Sequence, residues 1–287
     1  MTTPQTIVVT GGAGFIGSHL CEVLAKAGHK VISLDNYFTG SRDSHVEGVE
    51  YREGHTKDIA KHIPETPDII YHLGEYSRVE ISFTEPALVW DFNIRGTFGV
   101  LEFWRKKKCK LVYAGSSTKF GDGGMGRDQS PYAWSKASNT ELVKNYGSWY
   151  GLPYAIAYFY NVYGPRERAG KYGTLIEMFI QKVLGGEKLS VVSPGTQKRN
   201  FTHVHDIVAG LILIGEQGKG DDYGIGRDRS YSILEVARLF GKDIEMLPPR
   251  AGNRMDSTID TSKVRTLGWK CKHDLEEYIQ KSLVQSN

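Results

Sequence analysis

The sequence predicts an α/β fold in which a doubly wound parallel sheet is joined to a smaller C-terminal α/β lobe. Two observations favour this fold. Short runs rich in β-branched residues alternate with longer helical patterns through the first half of the chain, and a glycine-rich turn directly follows the first run. Strands that alternate with helices form βαβ units with right-handed crossovers and parallel strands. Because such sheets bind ligands at the carboxyl ends of their strands, functional residues are expected at that edge.

Each strand is predicted from a short apolar run bounded by turn residues. The runs are 7–10, 31–34, 68–73, 110–114 and 154–158, with helices after the first run and at about 86–105. Beyond Gly164 glycine and proline become more frequent and the elements shorter, which indicates a change of domain. We therefore predict a first domain over 1–165 and a smaller lobe over 166–287. A segment near 203–215 is expected to return to the first domain, so that the two parts interleave.

The composition excludes several classes of protein. The chain has 287 residues, of which 40% are hydrophobic and 24% charged, enough for a full core. Its 36 basic and 33 acidic residues leave a net charge of +3, too even to favour nucleic acid or a membrane surface as partner. Three scattered cysteines indicate neither a disulfide framework nor a metal site. With no signal-peptide pattern and no long apolar run, a soluble cytoplasmic protein is expected.

The glycine turn predicts a dinucleotide site. Gly11, Gly14 and Gly17 directly follow the first strand and open the first helix. Glycine there permits the turn, the approach of a pyrophosphate to the backbone and close helix–strand contact, while the helix N-terminus holds the phosphates. Asp35 ends the second strand about 20 residues further on, where a carboxylate accepts hydrogen bonds from the adenosine ribose and repels a 2′-phosphate. NAD is therefore favoured over NADP.

A tyrosine and a lysine form a candidate acid–base pair. Tyr132 and Lys136 are four residues apart, so on a helix they share one face. A phenol has a pKa of about 10, and an adjacent ammonium with a positive nicotinamide could lower it by about 3 units, or roughly 4 kcal/mol. An exposed helix can also carry this spacing by chance. Ser116 favours the catalytic interpretation because it follows the strand 110–114 and could hydrogen-bond the substrate oxygen that Tyr132 deprotonates.

Seven motifs connect these residues with a known family. In chain order they are Gly11–Gly17, Leu34–Asn36, His72–Gly74, Asn93–Thr97, Ser116–Ser117, Tyr132–Lys136 and Asn161–Pro165. Together they resemble the extended short-chain dehydrogenase/reductase family, and in particular its NAD-dependent nucleotide-sugar epimerases. Weaker similarity continues through Arg199–Val204, Tyr223–Gly226 and Asp260–Lys263. The resemblance implies a tightly held NAD, a Rossmann first domain and a C-terminal lobe that binds a nucleotide sugar.

The resemblance also implies a set of site residues. The catalytic residues would be Ser116, Tyr132 and Lys136. The cofactor would be bound by Gly11, Gly14, Phe15, Ile16, Gly17, Asp35, Asn36, Thr39, Gly40, Thr56, Leu73, Gly74, Glu75, Asn93, Tyr132 and Lys136. The substrate would be bound by Ser117, Asn161, Leu175, Gln197, Arg199, Arg250 and Ser257. Arg199 and Arg250 suit a diphosphate, because a guanidinium donates two parallel hydrogen bonds to phosphate oxygens. Family members pair through two long helices, which implies a homodimer.

The residues after Ser116 narrow the choice among the reactions that related enzymes catalyse. Related 4,6-dehydratases carry Thr-Asp-Glu at 116–118, decarboxylases of UDP-glucuronate carry Glu at 118, and GDP-fucose-type synthases carry Cys there. This chain has Ser117 and Thr118, neither of which is an acid or base near pH 7. Oxidation and re-reduction at C4 remain, which is epimerisation, and the resemblance implies a UDP-hexose as the substrate. Ser257 is small at a position where bulk excludes a 2-acetamido group, so a UDP-N-acetylhexosamine is expected to be accepted.

Some residues depart from the family pattern, and two other functions remain open. His55 stands where an Asp usually contacts adenine, and Val192 where an aromatic residue often stacks on the base.

The chain could instead be an NAD(P)-dependent reductase, or an epimerase acting at another carbon of a modified nucleotide sugar. From another class, it could be a non-catalytic Rossmann binding or sensor protein. His203 and His205 alternate as in a strand, so they are expected to face opposite sides and to bind no metal.

Overall fold

The computed structural model describes residues 3–117, 126–249, 255 and 260–284. The strands are β1 (Thr6–Thr10), β2 (Lys30–Asp35), β3 (Val49–Glu53), β4 (Ile69–His72), β5 (Lys110–Ser116), β6 (Tyr154–Phe159), β7 (Val162–Tyr163), β8 (Leu189–Val192), β9 (Lys198–Arg199), β10 (Thr202–His203), β11 (Gly220–Ile225), β12 (Tyr231–Ser232) and β13 (Ile244–Leu247). The α-helices are α1 (Phe15–Lys26), α2 (Ile59–His62), α3 (Pro86–Val89), α4 (Gly96–Lys107), α5 (Pro131–Tyr150), α6 (Leu175–Leu184), α7 (Val204–Gln217), α8 (Ile233–Leu239), α9 (Ser262–Thr266) and α10 (Leu275–Val284). A π-helical segment, Trp90–Arg95, joins α3 to α4. None of the described helices combines the length and apolar character that crossing a membrane requires.

The central sheet has seven parallel strands in the order β3-β2-β1-β4-β5-β6-β11. The predicted doubly wound parallel sheet is thereby confirmed. The strand order reverses between β1 and β4, and in such sheets the crevice for a ligand opens at that reversal. Two strands were not predicted. β3 has a polar sequence and no fully buried residue, and β11 begins with Gly220, Asp221 and Asp222 before its apolar end.

Helices cover both faces of the sheet because its inner strands are buried on both sides. Within β1, Ile7 and Val9 pack towards α1 and α7, while Val8 between them packs towards α4 and α5. Successive side chains of a strand point to opposite faces, so an uninterrupted apolar run is what a doubly covered strand requires. The same rule explains why the five apolar runs were recognisable as strands.

The smaller lobe has a core of its own. Ile176 of α6, Leu189 of β8, Val236 of α8 and Ile279 of α10 belong to one buried cluster. Between these elements the chain returns to the central sheet, first through α7 and then through β11 at the sheet edge. The returning part therefore extends to Ile225, beyond the segment near 203–215 that the sequence predicted.

Candidate active site

A cleft of about 540 Å³ opens at the carboxyl edge of the sheet. Its walls come from the loops after β1, β2, β4 and β5, from the start of α5 and from the segment 161–174. We divide it into two parts. The glycine-turn half consists of Gly11–Gly17 and Asp35 with the residues around them. The charged half consists of Arg78 and the segment 166–174. Ser116, Tyr132 and Lys136 also line the cleft.

The glycine turn is held by backbone atoms. Gly11 has a φ of +74°, and its amide donates to the Leu34 carbonyl at 2.8 Å. A Cβ at Gly11 would lie 2.9 Å from the Cα of Gly74, and one at Gly17 would collide with the carbonyl oxygen of Gly11. The turn therefore needs glycine at both positions. Gly14 is the N-cap of α1 and makes no side-chain cap, so the helix begins directly at the cleft.

Asp35 ties the end of β2 to the glycine turn. One carboxylate oxygen accepts from the Ala13 amide at 3.0 Å, and the other accepts from the Tyr37 amide at 2.8 Å. The side chain is buried, and burial raises the pKa of its carboxyl group although these amides oppose the shift. A Cβ at Gly40 would lie 3.0 Å from this carboxylate, so Gly40 packs against Asp35 and is not a lining residue.

Most of the other predicted cofactor residues line the cleft. They are Phe15, Ile16, Asn36, Thr39, Thr56, Leu73, Gly74 and Glu75. Asn93 does not line it. Its side-chain amide donates to the Tyr76 carbonyl at 3.2 Å and to the Ser135 hydroxyl at 2.9 Å, and its oxygen accepts from the Tyr76 amide at 2.7 Å. Asn93 thus holds the loop after β4 against α5 from behind.

Local structure explains how the three predicted catalytic residues come together. Ser116 is the last residue of β5 and is buried at the sheet edge. Helix α5 begins beside it, since the Ser130 hydroxyl caps the helix by accepting from the Ala133 amide at 3.0 Å and Pro131 takes the first helical position. Tyr132 therefore lies in the first turn at the cleft, and Lys136 lies one turn deeper.

The Lys136 ammonium is buried against oxygen atoms. It forms an ion pair with the Glu75 carboxylate and donates to the Ala114 carbonyl. The nitrogen also lies 4.6 Å from the centroid of the Tyr113 ring. Because the protein supplies these partners, the ammonium is held at the cleft wall.

The charged half is tied to the rest of the chain by ionic contacts. Arg166 pairs with Glu22 of α1, Arg168 pairs with Asp43 at 3.1 Å, and Lys171 pairs with Glu85. The Nε of Arg78 donates to the Tyr172 carbonyl at 2.6 Å. These basic residues line the cleft and were not predicted as site residues. The only signal in the sequence is the run of arginines that follows Gly164.

Glu167 is the acidic residue of the charged half. Its carboxylate accepts from the amide and the hydroxyl of Thr174, at 3.1 Å for the amide. Burial raises the pKa of Glu167 to about 8, although the Arg78 guanidinium opposes the shift. The group therefore holds its proton at neutral pH.

Aromatic rings form an apolar wall of the same cleft. Phe38 lies with its ring centroid 4.9 Å from that of Phe92, 5.0 Å from that of Tyr172 and 6.3 Å from that of Tyr76. All four residues line the cleft. They come from distant segments, so no sequence pattern groups them.

The predicted substrate residues divide into three groups. Ser117 and Asn161 line the cleft. Leu175, Gln197 and Arg199 are not among its lining residues: Leu175 starts α6, Gln197 is buried with its amide donating to the Val192 carbonyl at 3.1 Å, and Arg199 lies in β9 of the lobe. Arg250 and Ser257 lie outside the described residues.

Two histidines expected on opposite sides meet in the structure, so that prediction is wrong. His203 ends β10, and its Nδ1 accepts from the amide of His205, which lies in the first turn of α7 and not in a strand. Their ring centroids are 4.8 Å apart, and candidate ligand atoms of these two and His273 lie within 4.8 Å of one another. The His203 and His273 rings are stacked, with their centroids 4.3 Å apart and their planes 16° from parallel.

Known proteins resemble this chain over nearly its whole length. The model of the NAD dependent epimerase/dehydratase family matches residues 7–226. A putative UDP-glucose 4-epimerase from Methanocaldococcus jannaschii is 32% identical, and the match covers 96% of each chain. A UDP-N-acetyl-alpha-D-glucosaminuronate decarboxylase from Bacillus cytotoxicus is also 32% identical, over 80% of this chain and 78% of that protein. The structure of a UDP-glucose 4-epimerase from Thermus thermophilus in complex with NAD superposes with a TM-score of 0.88 at 27% identity, covering 98% of each chain.

Proposed function

This chain belongs to the NAD-dependent epimerase/dehydratase family, and from that premise we propose that it inverts C4 of a UDP-hexose or UDP-N-acetylhexosamine through a transient 4-keto sugar. The observation that carries the proposal is the meeting of Ser116, Tyr132 and Lys136 with the glycine turn in one cleft. The names of two relatives support UDP as the nucleotide, because the epimerase from Methanocaldococcus jannaschii and the decarboxylase from Bacillus cytotoxicus are both named for UDP-sugars.

The cofactor is NAD, and the glycine-turn half fits it. A side chain at Gly11 or Gly17 would collide with backbone atoms and distort the turn, and the bare N-terminus of α1 suits the negative charge of a pyrophosphate. We propose that Asp35 accepts hydrogen bonds from the adenosine ribose. Bound NAD supplies a hydride acceptor that returns the hydride within the same turnover.

Three side chains of the protein carry the proton chemistry in this proposal. Tyr132 takes the proton of the C4 hydroxyl and later gives it back. Lys136 stabilises the phenolate by its positive charge and also donates to the nicotinamide ribose. Ser116 donates a hydrogen bond to the C4 oxygen, which holds the sugar for both transfers.

The sugar must rotate and present its other face between the two hydride transfers. The protein therefore has to hold the diphosphate firmly and the sugar loosely. We assign the nucleotide sugar to the lobe within residues 166–287 and NAD to the domain of residues 1–165, to which the chain returns through α7 and β11. Ser117 and Asn161 reach the cleft and are proposed to contact the substrate there. Arginines hold the diphosphate in this proposal, with Arg199 and Arg250 assigned from the family resemblance. Ser257, assigned in the same way, leaves room for a 2-acetamido group.

The rival within the family is decarboxylation, because one curated relative is a decarboxylase. Ser117 and Thr118 argue against it, since this chain lacks the Glu that decarboxylating relatives carry at 118. Neither side chain ionises near neutral pH, so neither provides the additional acid or base of those reactions.

The test is to incubate the enzyme with a panel of UDP-, GDP-, CDP- and dTDP-sugars, including a uronate, without added cofactor. NMR of the products should show a C4 epimer pair from a UDP-hexose or UDP-N-acetylhexosamine, with no net change in NADH absorbance. Release of carbon dioxide from the uronate would instead establish a decarboxylase. In a second set of reactions with NADH added, its steady consumption would establish a reductase. No turnover of any sugar would favour a binding protein.

We also propose that the chain forms a homodimer through the helices α3–α4 and α5. Trp90 lies on the π-helical segment between α3 and α4 and is 53% exposed, Trp134 lies on α5 and is 41% exposed, and their rings stack with centroids 6.1 Å apart. Phe98 is 50% exposed on α4. Exposed aromatic clusters of this kind mark association surfaces. Light scattering should give the mass of a dimer for the wild type and of a monomer for Trp90→Glu.

A cytoplasmic location is proposed as well. All three cysteines are unpaired, and Cys21 and Cys109 are buried. Unpaired buried thiols are typical of a reducing compartment. Cell fractionation with an antibody against the chain should recover it with soluble cytoplasmic enzymes.

A further inference from the structure

We propose that Glu75 is a positioning residue that fixes the Lys136 ammonium at the cleft wall, where it supports the proposed base Tyr132. The inference rests on the proposed function, because it concerns how the assigned acid–base pair is held in place. The family resemblance assigns Glu75 to cofactor binding, whereas its carboxylate in the structure is directed at protein groups.

The two charges meet inside the protein. Glu75 lies in the loop after β4 and Lys136 on α5, and their side chains are only 3% and 6% exposed. One Glu75 oxygen forms the ion pair with the ammonium, which also donates to the Ala114 carbonyl. A buried charge is tolerated only when it is paired and hydrogen-bonded, so each of these groups depends on the other.

The second oxygen of Glu75 is occupied as well. It accepts from the Thr97 hydroxyl at 2.6 Å, from the Asn139 side-chain amide at 2.8 Å and from the Tyr113 hydroxyl at 3.2 Å. These donors come from α4, α5 and β5, so three elements hold the carboxylate. Because both oxygens are bound, Glu75 cannot turn away from Lys136 without losing hydrogen bonds.

The carboxylate is charged at neutral pH. Burial raises the pKa of Glu75, but the Lys136 ammonium and the hydrogen bonds outweigh burial, and the pKa ends below its usual value. The other titratable groups that face the pair are His72 of β4, Tyr113 of β5 and Tyr132 of α5. Burial lowers the pKa of His72 to about 4 and raises that of Tyr113 well above 10, so both are neutral.

This arrangement has one consequence for the proposed base. The ion pair and the Ala114 carbonyl fix the Lys136 ammonium at the cleft wall, on the same helix as Tyr132 and one turn further along it. A positive charge stabilises a phenolate only over a short distance, so the position of the ammonium decides how well Lys136 serves Tyr132. Without Glu75 the ammonium would be a buried charge that lacks its anionic partner and would lose this position.

Steady-state kinetics of epimerisation test this positioning. For Glu75→Gln, kcat should fall about tenfold while KM for the nucleotide sugar changes little, because the ammonium that supports the proposed base loses its place. Glu75→Asp keeps the charge and should recover part of the loss in kcat. If Glu75→Gln leaves kcat unchanged, or if Glu75→Asp is no more active than Glu75→Gln, the positioning role is wrong.

A second measurement does not depend on turnover. Thermal unfolding, with NAD in excess, is compared for Glu75→Gln, Lys136→Met and the double variant. The double variant should lose less in Tm than the sum of the single losses, because it leaves no unpaired charge in the interior. Additive losses would show that the two side chains are not coupled and would overturn the inference. The proposed function fails separately, if no nucleotide sugar is epimerised while this coupling is intact.

Discussion

The two halves of the cleft are built in different ways. In the glycine-turn half, backbone atoms make the decisive contacts, and the residues that shape the turn are neighbours in the sequence. In the charged half, side chains meet partners far away along the chain, such as Arg78 with the Tyr172 carbonyl 94 residues on and Arg166 with Glu22 144 residues before it. A local motif can therefore reveal the first half, whereas the second becomes visible only after folding.

The largest expected effect comes from the residue at the junction of the halves. Tyr132→Phe should reduce kcat by about 10³-fold, because general base catalysis is worth roughly 10²- to 10⁴-fold. Bound NAD, measured after release from the purified protein, should be unchanged, since the glycine turn is untouched. Tyr150→Phe serves as the matched control on the exposed end of the same helix. Full turnover by Tyr132→Phe would rule out the proposed base.

A methyl group in the glycine turn should disrupt the glycine-turn half alone. At Gly17 a Cβ collides with the Gly11 carbonyl, while at Gly14 its nearest neighbour is that same oxygen at 3.2 Å. Gly17→Ala should therefore destabilise the protein by about 1–3 kcal/mol and lose most of its bound NAD. Gly14→Ala should have a smaller effect on both. Unfolding curves and NAD content provide the measurement, and equal effects of the two variants would contradict the steric explanation.

The charged half should respond to Arg78→Ala without a change in cofactor content. The variant removes the hydrogen bonds that hold the Tyr172 carbonyl, so the segment 166–174 loses an anchor. We expect KM for the nucleotide sugar to rise about tenfold, the equivalent of 1.4 kcal/mol, with kcat reduced less. Initial-rate kinetics would show this split. A loss of NAD from the variant would mean that the halves are not independent.

The remaining expected effect is a change in the pH dependence of stability. The folded pKa of Glu167, about 8, lies above the ordinary value of 4.5 for an unfolded chain. The folded protein therefore keeps a proton that the unfolded chain releases, and this group lowers the free energy of unfolding as pH rises from about 4.5 to 8. Glu167→Gln removes this pH-dependent loss of stability. The Tm of the variant minus the Tm of the wild type should therefore increase from pH 6 to pH 8.5. A constant difference across that interval would argue that Glu167 is already ionised.

Much of the fold could be predicted because its main strands are buried on both faces. Such strands need continuous apolar runs, as at Ile7–Val9, and these are visible in the sequence. The edge strand β3 was not predicted, because its sequence is polar and none of its residues is fully buried. The return of the chain through β11 was not predicted either. This strand pairs with β6, about 60 residues before it, and such distant pairing leaves no local pattern in the sequence.

The candidate site was predictable to the same extent. The turn glycines Gly11, Gly14 and Gly17 line the cleft, and so do the other residues found from spacing and position, which are Asp35, Ser116, Tyr132 and Lys136. The basic residues of the charged half and the aromatic wall were missed, because their members come from separate segments. His203 and His205 were misjudged, since the change from strand to helix between them places both rings on one side.

The amino-acid order alone determined what depends on a few consecutive residues: the turn that only glycine can form, the helix that puts Tyr132 and Lys136 on one face, and the doubly buried strands. Backbone conformation and side-chain periodicity are local properties. Only the tertiary structure decided which charges meet, as it brought Glu75 to Lys136 and Arg78 to the segment 166–174. Electrostatic interactions and burial depend on distance through space, and the sequence contains that distance only through the whole fold.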